Sequence, residues 1–183
     1  PDGALEDRAS TAVWFRAFDV PPCKATLHRG TITLTTPEIT LTVHARTGTP
    51  QTVTFSNGKT ADCLNFGNLH GTCRTLDATF GPVPLQDGLV SRDGVSLLDD
   101  SRSFLLDAGG RFCPRKRKGK DVYVFAYDHD YRAAIQDFYK ISGSVPLIPR
   151  FALGVWWSRY HAYTQEEYLG LMKRFAAENV PLT

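Results

Sequence analysis

Polar and apolar residues alternate along much of the first two-thirds of the chain. Thr31–Leu34 and Ile39–Val43 alternate with period two on either side of Thr36-Pro37-Glu38, the pattern of two half-buried strands joined by a turn. Val53 and Phe55 alternate up to Ser56-Asn57-Gly58-Lys59, where an Asn-Gly pair supplies the positive φ of a tight hairpin. Ser103–Leu106 and Asp121–Tyr127 read as two further strands. Between them, Asp107–Lys120 contains Gly109-Gly110 and the basic run Arg115-Lys116-Arg117-Lys118. A short basic run beside glycines and between strands reads as a solvated hairpin tip, and no aromatics interleave its charges as nucleic-acid stacking would need.

The period then changes to that of a helix. Asp130 caps a segment with Tyr131, Ala134, Ile135 and Phe138 on one face, ending near Ser142-Gly143. Thr164 and Glu167 form a capping box for a second helix, whose apolar face is Tyr168, Leu171, Met172 and Phe175. Between the helices, Ser144–Pro149 reads as a linker and Phe151–Trp157 as an unbroken apolar run. The run has the length of a strand buried on both faces, and it stops at Ser158-Arg159-Tyr160-His161. With Val180-Pro181-Leu182-Thr183 as the start of another strand, the segment predicts one β/α unit. Asn65–Asp93 lacks periodicity, but Phe66, Leu69, Phe80, Leu85 and Leu89 predict an ordered loop packed on the domain.

Composition narrows the partners. The 183 residues are 42% hydrophobic and 22% charged, as in ordinary globular domains. A net charge of +2 argues against a nucleic-acid partner, and no apolar run approaches bilayer length, so no membrane partner is expected. Pro1-Asp2-Gly3 is neither a methionine start nor a signal peptide. Cys23, Cys63, Cys73 and Cys113 form no CxxC pair, and the five histidines show no ligand spacing, so no metal is expected. The cysteines admit free buried thiols or two disulfides in any of about three connectivities, which leaves the compartment open.

Several stretches carry a resemblance in one chain order. They are Gly3–Ser10, Asn65-Phe-Gly-Asn-Leu-His-Gly71 with Arg74-Thr-Leu-Asp77, Asp87–Gly94 with Asp99-Asp-Ser101, and Tyr123–Tyr127 with Asp130–Ala134. Leu147–Gly154, Trp156–Tyr160 and Tyr163–Glu167 complete the series. Across nearly the whole chain the sequence resembles glycoside hydrolase family 31, the α-glucosidase and α-xylosidase family, where its β-sandwich joins its catalytic (β/α)8 barrel. The resemblance implies a mainly β fold: an antiparallel, galactose-mutarotase-like β-sandwich over 1–143, a linker over 144–150, and the first barrel strand, helix and start of a second strand over 151–183. It also implies further sandwich strands before Pro1 and the rest of the barrel after Thr183.

Glycoside hydrolysis needs two carboxyl groups about the scissile bond. Asp99-Asp100 reads as a strand-end turn, since adjacent strand residues point to opposite faces. Glu166-Glu167 belongs to a first helical turn, and Glu6-Asp7 sits beside Arg8. The family's aspartate nucleophile and aspartate acid/base lie on barrel segments beyond the equivalent of Thr183, so no catalytic residue is expected here. The implied mechanism is retaining, with a covalent glycosyl intermediate and no cofactor. The expected contribution is pocket wall. A barrel's site lies at the C-terminal ends of its strands, where the resemblance gives Tyr160 a sugar-lining role beside Arg159. A loop from the sandwich would bring Arg74 and Asp77, which could equally pair with each other. Trp156 and Trp157 read as barrel-core and interface residues, and Ser91-Arg92-Asp93 as a structural turn. The implied partners are an oligosaccharide or glycoside and the remainder of the same polypeptide. The rival class is a non-catalytic carbohydrate-binding or scaffold sandwich module, which would have no use for Phe151–Trp157 and its helix.

Overall fold

A computed structural model describes residues 6–71, 79–116 and 119–182. The chain divides into two compact units, Pro1–Ser144 and Val145–Thr183.

The first unit is built on antiparallel strands. β1 (Lys24–His28), β2 (Thr31–Thr35), β3 (Ile39–His44), β4 (Thr49–Phe55) and β5 (Thr60–Asp62) form one sheet in chain order. Threonine and aliphatic residues alternate, so the pleat sorts them onto opposite faces. Thr26, Thr33, Thr42 and Thr52 oppose one another across four strands, as do Ala25 with Leu34 and Leu34 with Leu41. On the polar face the hydroxyls of Thr42 and Thr52 are 2.6 Å apart and those of Thr54 and Thr60 3.1 Å apart. The β4–β5 turn has Gly58 at φ +84°, as the Asn57-Gly58 pair requires.

The apolar face packs on a second pair, β6 (Val95–Asp99) with β9 (Val122–Ala126). Val53, Phe55, Ala61, Cys63 and Val95 form the buried core, flanked by Ile39, Leu41, Phe66, Leu97, Val124 and Ala126. Burial pushes the Cys63 thiol up to about 11, which keeps it protonated at neutral pH. Cys23, Cys63 and Cys113 are free thiols; Cys73 lies outside the described residues. β7 (Leu105–Leu106) and β8 (Phe112–Cys113) make a third, short pair.

Helix α1 (Tyr131–Ser142) starts where the sequence places it, with the Asp130 carboxylate accepting from Ala133 N at 3.0 Å. Ala134 is buried and Phe138 meets Phe125 at 6.2 Å between ring centroids. At the other end, Ile141 O accepts from Trp14 N and Phe15 N, tying the N-terminal segment to the helix. Ahead of α1, Gly94 has φ +79° and its backbone runs against Asp128; a Cβ there would lie 2.4 Å from Asp128 Cα.

Two expectations are corrected by a buried charge network. Asp99-Asp100 was expected to be a turn satisfied by backbone N–H groups, and Arg115–Lys118 a solvated tip. Asp99 does accept from Ser101 N. Asp100 instead is fully buried, and its carboxylate meets Arg16 at 2.6 Å, Arg115 at 2.7 Å and the Ser10 hydroxyl at 2.8 Å. Asp121 lies 3.0 Å from both guanidinium groups, and the Tyr123 hydroxyl is 2.8 Å from Arg16. A buried carboxylate without cationic partners is prohibitively costly, so Arg115 turns inward, whereas Lys116 is exposed. Arg117 and Lys118 lie outside the described residues.

The second unit departs furthest from expectation. Phe151–Trp157 is not a strand. Arg150–Leu153 is a short 3-10 turn, closed by Ala152 N on Pro149 O, and the chain from Gly154 to Thr164 is irregular. A strand buried on both faces needs neighbouring strands to satisfy its backbone, and no described residue of this unit is in a strand. Phe151, Leu153 and Trp156 are accordingly exposed. Val180–Leu182 is irregular too. The second helix, α2 (Gln165–Ala177), forms as the capping box predicts.

Asp100→Ala should lower the unfolding free energy of the chain by about 3–5 kcal/mol, because it strands two guanidinium groups in the interior. Asp99→Ala, which removes an exposed 3.3 Å pair with Lys120, should cost less than about 1 kcal/mol. Urea unfolding of the two variants checks the difference.

Candidate functional site

The residues expected to line a sugar site fall in both units. In the second, the chain between Gly154 and α2 is held by aromatic packing rather than by backbone pairing. Trp157 is half-buried against Phe175 of α2, ring centroids 5.4 Å apart and planes at 76°, and against Tyr163 at 6.1 Å. Tyr163 also takes His161 edge-on at 4.4 Å and Tyr168 at 5.9 Å. Edge-to-face contacts of this kind satisfy the ring quadrupoles and fix relative orientation.

This packing sets what Arg159 and Tyr160 can do. Arg159 donates one N–H to the Tyr163 hydroxyl at 3.4 Å, which leaves its other N–H groups facing outward from an exposed side chain. The Tyr160 ring is fully exposed and offers both faces and its hydroxyl. A planar apolar ring beside a multi-donor cation is a chemistry suited to a sugar, whose C–H faces stack and whose hydroxyls accept. Trp156 and Trp157, both expected in a core, part company. Trp157 packs on α2, whereas Trp156 is 79% exposed, its indole N–H donating to Ala152 O at 2.9 Å. The organising residue is Tyr163, which sequence reading did not single out. Its signal was the aromatic spacing Trp157, Tyr163, Tyr168, legible only once α2 is known to fold back on the preceding segment.

In the first unit the chain at 67–71 is tied to that at 86–93. Asn68 and Ser91 form an antiparallel bridge, Leu69 N donates to Val90 O at 3.0 Å, and Gly71 N donates to Gln86 O at 2.7 Å. Gly67 N donates to the Asp93 carboxylate at 2.6 Å, which gives Ser91-Arg92-Asp93 its structural role. His70 Nδ1 lies 3.4 Å from Asp87. Arg74 and Asp77 lie outside the described residues.

The carboxylates in view are committed elsewhere. Asp100 is closed to any substrate by its arginines, Glu6 is held at about 2 by the Arg8 side chain, and Glu167 is drawn down by the backbone N–H and hydroxyl of Thr164. Among the described residues no cluster of His, Cys, Asp or Glu is arranged to hold a metal ion. The cavity between β6, β9 and α1, lined by Val95, Phe125, Tyr131 and Ala134, has about 10 Å³ of internal space, room for a single water at most. No described helix is long and apolar enough to cross a membrane.

The chain is 28% identical over 127 residues to an α-xylosidase of Saccharolobus solfataricus, a match that takes in 65% of this chain and 16% of that protein. The chain thus spans about one-sixth of the length of the relative it matches. No protein-family model matches it. The similarity points to a glycosidase-related protein.

The Thr164–Glu167 box is the feature that starts α2 and so positions Tyr163 and Tyr168. Because the Glu167 carboxyl is lowered in the folded chain, its contribution is complete above the ordinary carboxylate range and is lost as pH falls through and below that range. Thr164→Ala should cost about 1 kcal/mol of α2 stability at neutral pH and flatten this acid dependence. Amide exchange of α2 residues between pH 6 and pH 3 reads both effects.

Proposed function

We propose that this chain is part of a retaining α-glycosidase of glycoside hydrolase family 31, acting on terminal α-glucosidic bonds of oligosaccharides. In this reading 1–143 is an N-terminal β-sandwich, 144–150 a linker, and 151–183 the beginning of the catalytic (β/α)8 barrel. The observation that carries it is the ordered series of family-like segments along the chain, supported by similarity to an α-xylosidase. The irregular backbone at Phe151–Trp157 is compatible with it, because a barrel strand acquires its hydrogen bonds only from neighbouring barrel strands. Exposed apolar residues there, Phe151, Leu153, Val155 and Trp156, are what such a strand would bury.

The chain supplies pocket wall, not the reacting carboxylates. Tyr160 stacks on a sugar face, Arg159 donates to its hydroxyls while anchored on Tyr163, and Arg74 and Asp77 reach the substrate from the sandwich loop. The catalytic aspartates belong to barrel segments outside this sequence, and the chemistry needs no cofactor. The partners are the glycoside and the rest of the barrel.

Two outcomes test this. The isolated chain should leave an aryl α-glucoside unhydrolysed above the buffer rate; turnover by the pure chain would place the acids within it. In the longer enzyme, Tyr160→Ala should lower kcat/KM about tenfold to a hundredfold, the equivalent of about 1–3 kcal/mol of lost aromatic contact. An unchanged kcat/KM would remove Tyr160 from the pocket.

A further inference from the structure

Tyr163 stands where the irregular segment of the second unit enters α2, and two devices hold that entry. The first is the capping box. Thr164 N and the Thr164 hydroxyl donate to the Glu167 carboxylate at 2.8 Å and 2.9 Å, and Glu167 N donates to the Thr164 hydroxyl at 3.3 Å. The second is a staple. Tyr163 directly precedes the cap and Tyr168 is the fourth residue of the helix. Apolar side chains in contact at these two positions fix the angle at which a chain enters a helix. The two rings lie 5.9 Å apart, with their planes at 69°.

The other end of the segment is seated on the same helix. Trp157 packs on Phe175 and also meets the Tyr163 ring, so residues 157–163 form a short loop laid on α2 at both ends. His161 closes on the Tyr163 ring from within the loop. Arg159 and Tyr160 lie between these supports, and both side chains are exposed. A long exposed arginine side chain samples many rotamers, and ordering it on a ligand costs binding energy. The Tyr163 hydroxyl, which accepts from Arg159 Nη1 at 3.4 Å, narrows that choice before any ligand arrives.

We propose that Tyr163 is a positioning residue for sugar binding: its ring is locked to α2 by the staple and by Trp157, and its hydroxyl holds the Arg159 guanidinium so that the remaining N–H groups face the ligand next to Tyr160. The proposal rests on the reading above that Arg159 and Tyr160 line the pocket. Tyr163 itself touches no substrate; it acts through Arg159. The two parts of the device separate chemically. Phenylalanine at 163 keeps the ring and the staple and removes only the hydroxyl. Alanine at 163 removes both.

The test uses the longer enzyme, with an aryl α-glucoside as probe and amide exchange as the second readout. Tyr163→Phe should leave Tm and exchange at Glu167 and Tyr168 unchanged, and lower kcat/KM by about threefold to tenfold, the net worth of one hydrogen bond. Tyr163→Ala should lower kcat/KM further and speed exchange at both amides. The deciding measurement is the double variant. In an Arg159→Ala background, Tyr163→Phe should cost nothing more, because the group it positions is gone. A purely structural Tyr163 would instead give the same loss in both backgrounds, and that result overturns the proposal. So does an unchanged kcat/KM in Tyr163→Phe, or a loss there that comes with a lowered Tm and faster exchange. If Arg159→Ala alone leaves kcat/KM unchanged, there is no guanidinium to position and the proposal falls. Tyr160→Ala then separates the two readings: if it lowers kcat/KM, the sugar pocket stands and only the positioning role is lost.

Discussion

The first unit depends on satisfying one buried carboxylate. Asp100 follows the last residue of β6 with no exposure, and its charge is tolerable only because Arg16 and Arg115 approach within 2.7 Å and Ser10 donates a hydroxyl. These partners come from two places distant in sequence, Ser10 and Arg16 from the N-terminal segment and Arg115 from the chain after β8. Their convergence fixes the path of segments that have little regular structure of their own. Ser10 accepts from Val13 N, and Val13 is itself fully buried, so the polar centre and the apolar core are continuous there. A network of this kind specifies one arrangement, because any slip of the N-terminal segment or of Arg115 would leave a charge unpaired in the interior.

The same economy of partners distinguishes the two units. The first unit closes its backbone bonds within its own sheets and buries Val53, Phe55, Ala61, Cys63 and Val95. In the second unit no described residue is fully buried. Its order comes from one helix and from rings laid against it, with Trp157 and Tyr163 as the contacts that matter. That leaves a long apolar stretch, Leu147 to Trp156, largely facing outward. Such a stretch is costly in water, and in the proposed reading it is what barrel neighbours would cover.

For a glycosidase reading, the division of labour has a physical logic. A pocket wall must present exposed rings and donors in fixed directions without spending its own carboxylates. Arg159 is restrained by Tyr163, and Asn68 is bonded to both backbone groups of Gly88. Glu6 is paired with Arg8, Asp99 with Lys120, and Asp100 with Arg16 and Arg115, and Glu167 sits in a helix N-terminus. The two second-unit residues of the proposed wall, Arg159 and Tyr160, are a cation and a ring, which suit a hydroxyl-rich ligand.

Local signals were legible in the amino-acid sequence because their causes are local. The Asp130 cap, the Thr164–Glu167 box and the Asn57-Gly58 turn each involve residues within four positions, and each forms as its residues dictate. The alternation of Val53 and Phe55 with polar residues placed these two of β4 in the core, with Ile39 and Leu41 of β3 packed against it. Strand β1 and strand β6 were not anticipated, since KATLH and VSLLD carry only a short alternation. The inward turn of Arg115 was invisible because a basic run carries no record of a buried acid 15 residues away. The candidate site shows the same split. Arg159 and Tyr160 enter the proposal from their motif, whereas the Tyr163–Arg159 contact, the Asn68–Gly88 bonds and the irregular backbone at Phe151–Trp157 required tertiary structure. A strand is a property of paired chains, and an apolar run without a neighbour to accept its hydrogen bonds folds on its own backbone instead.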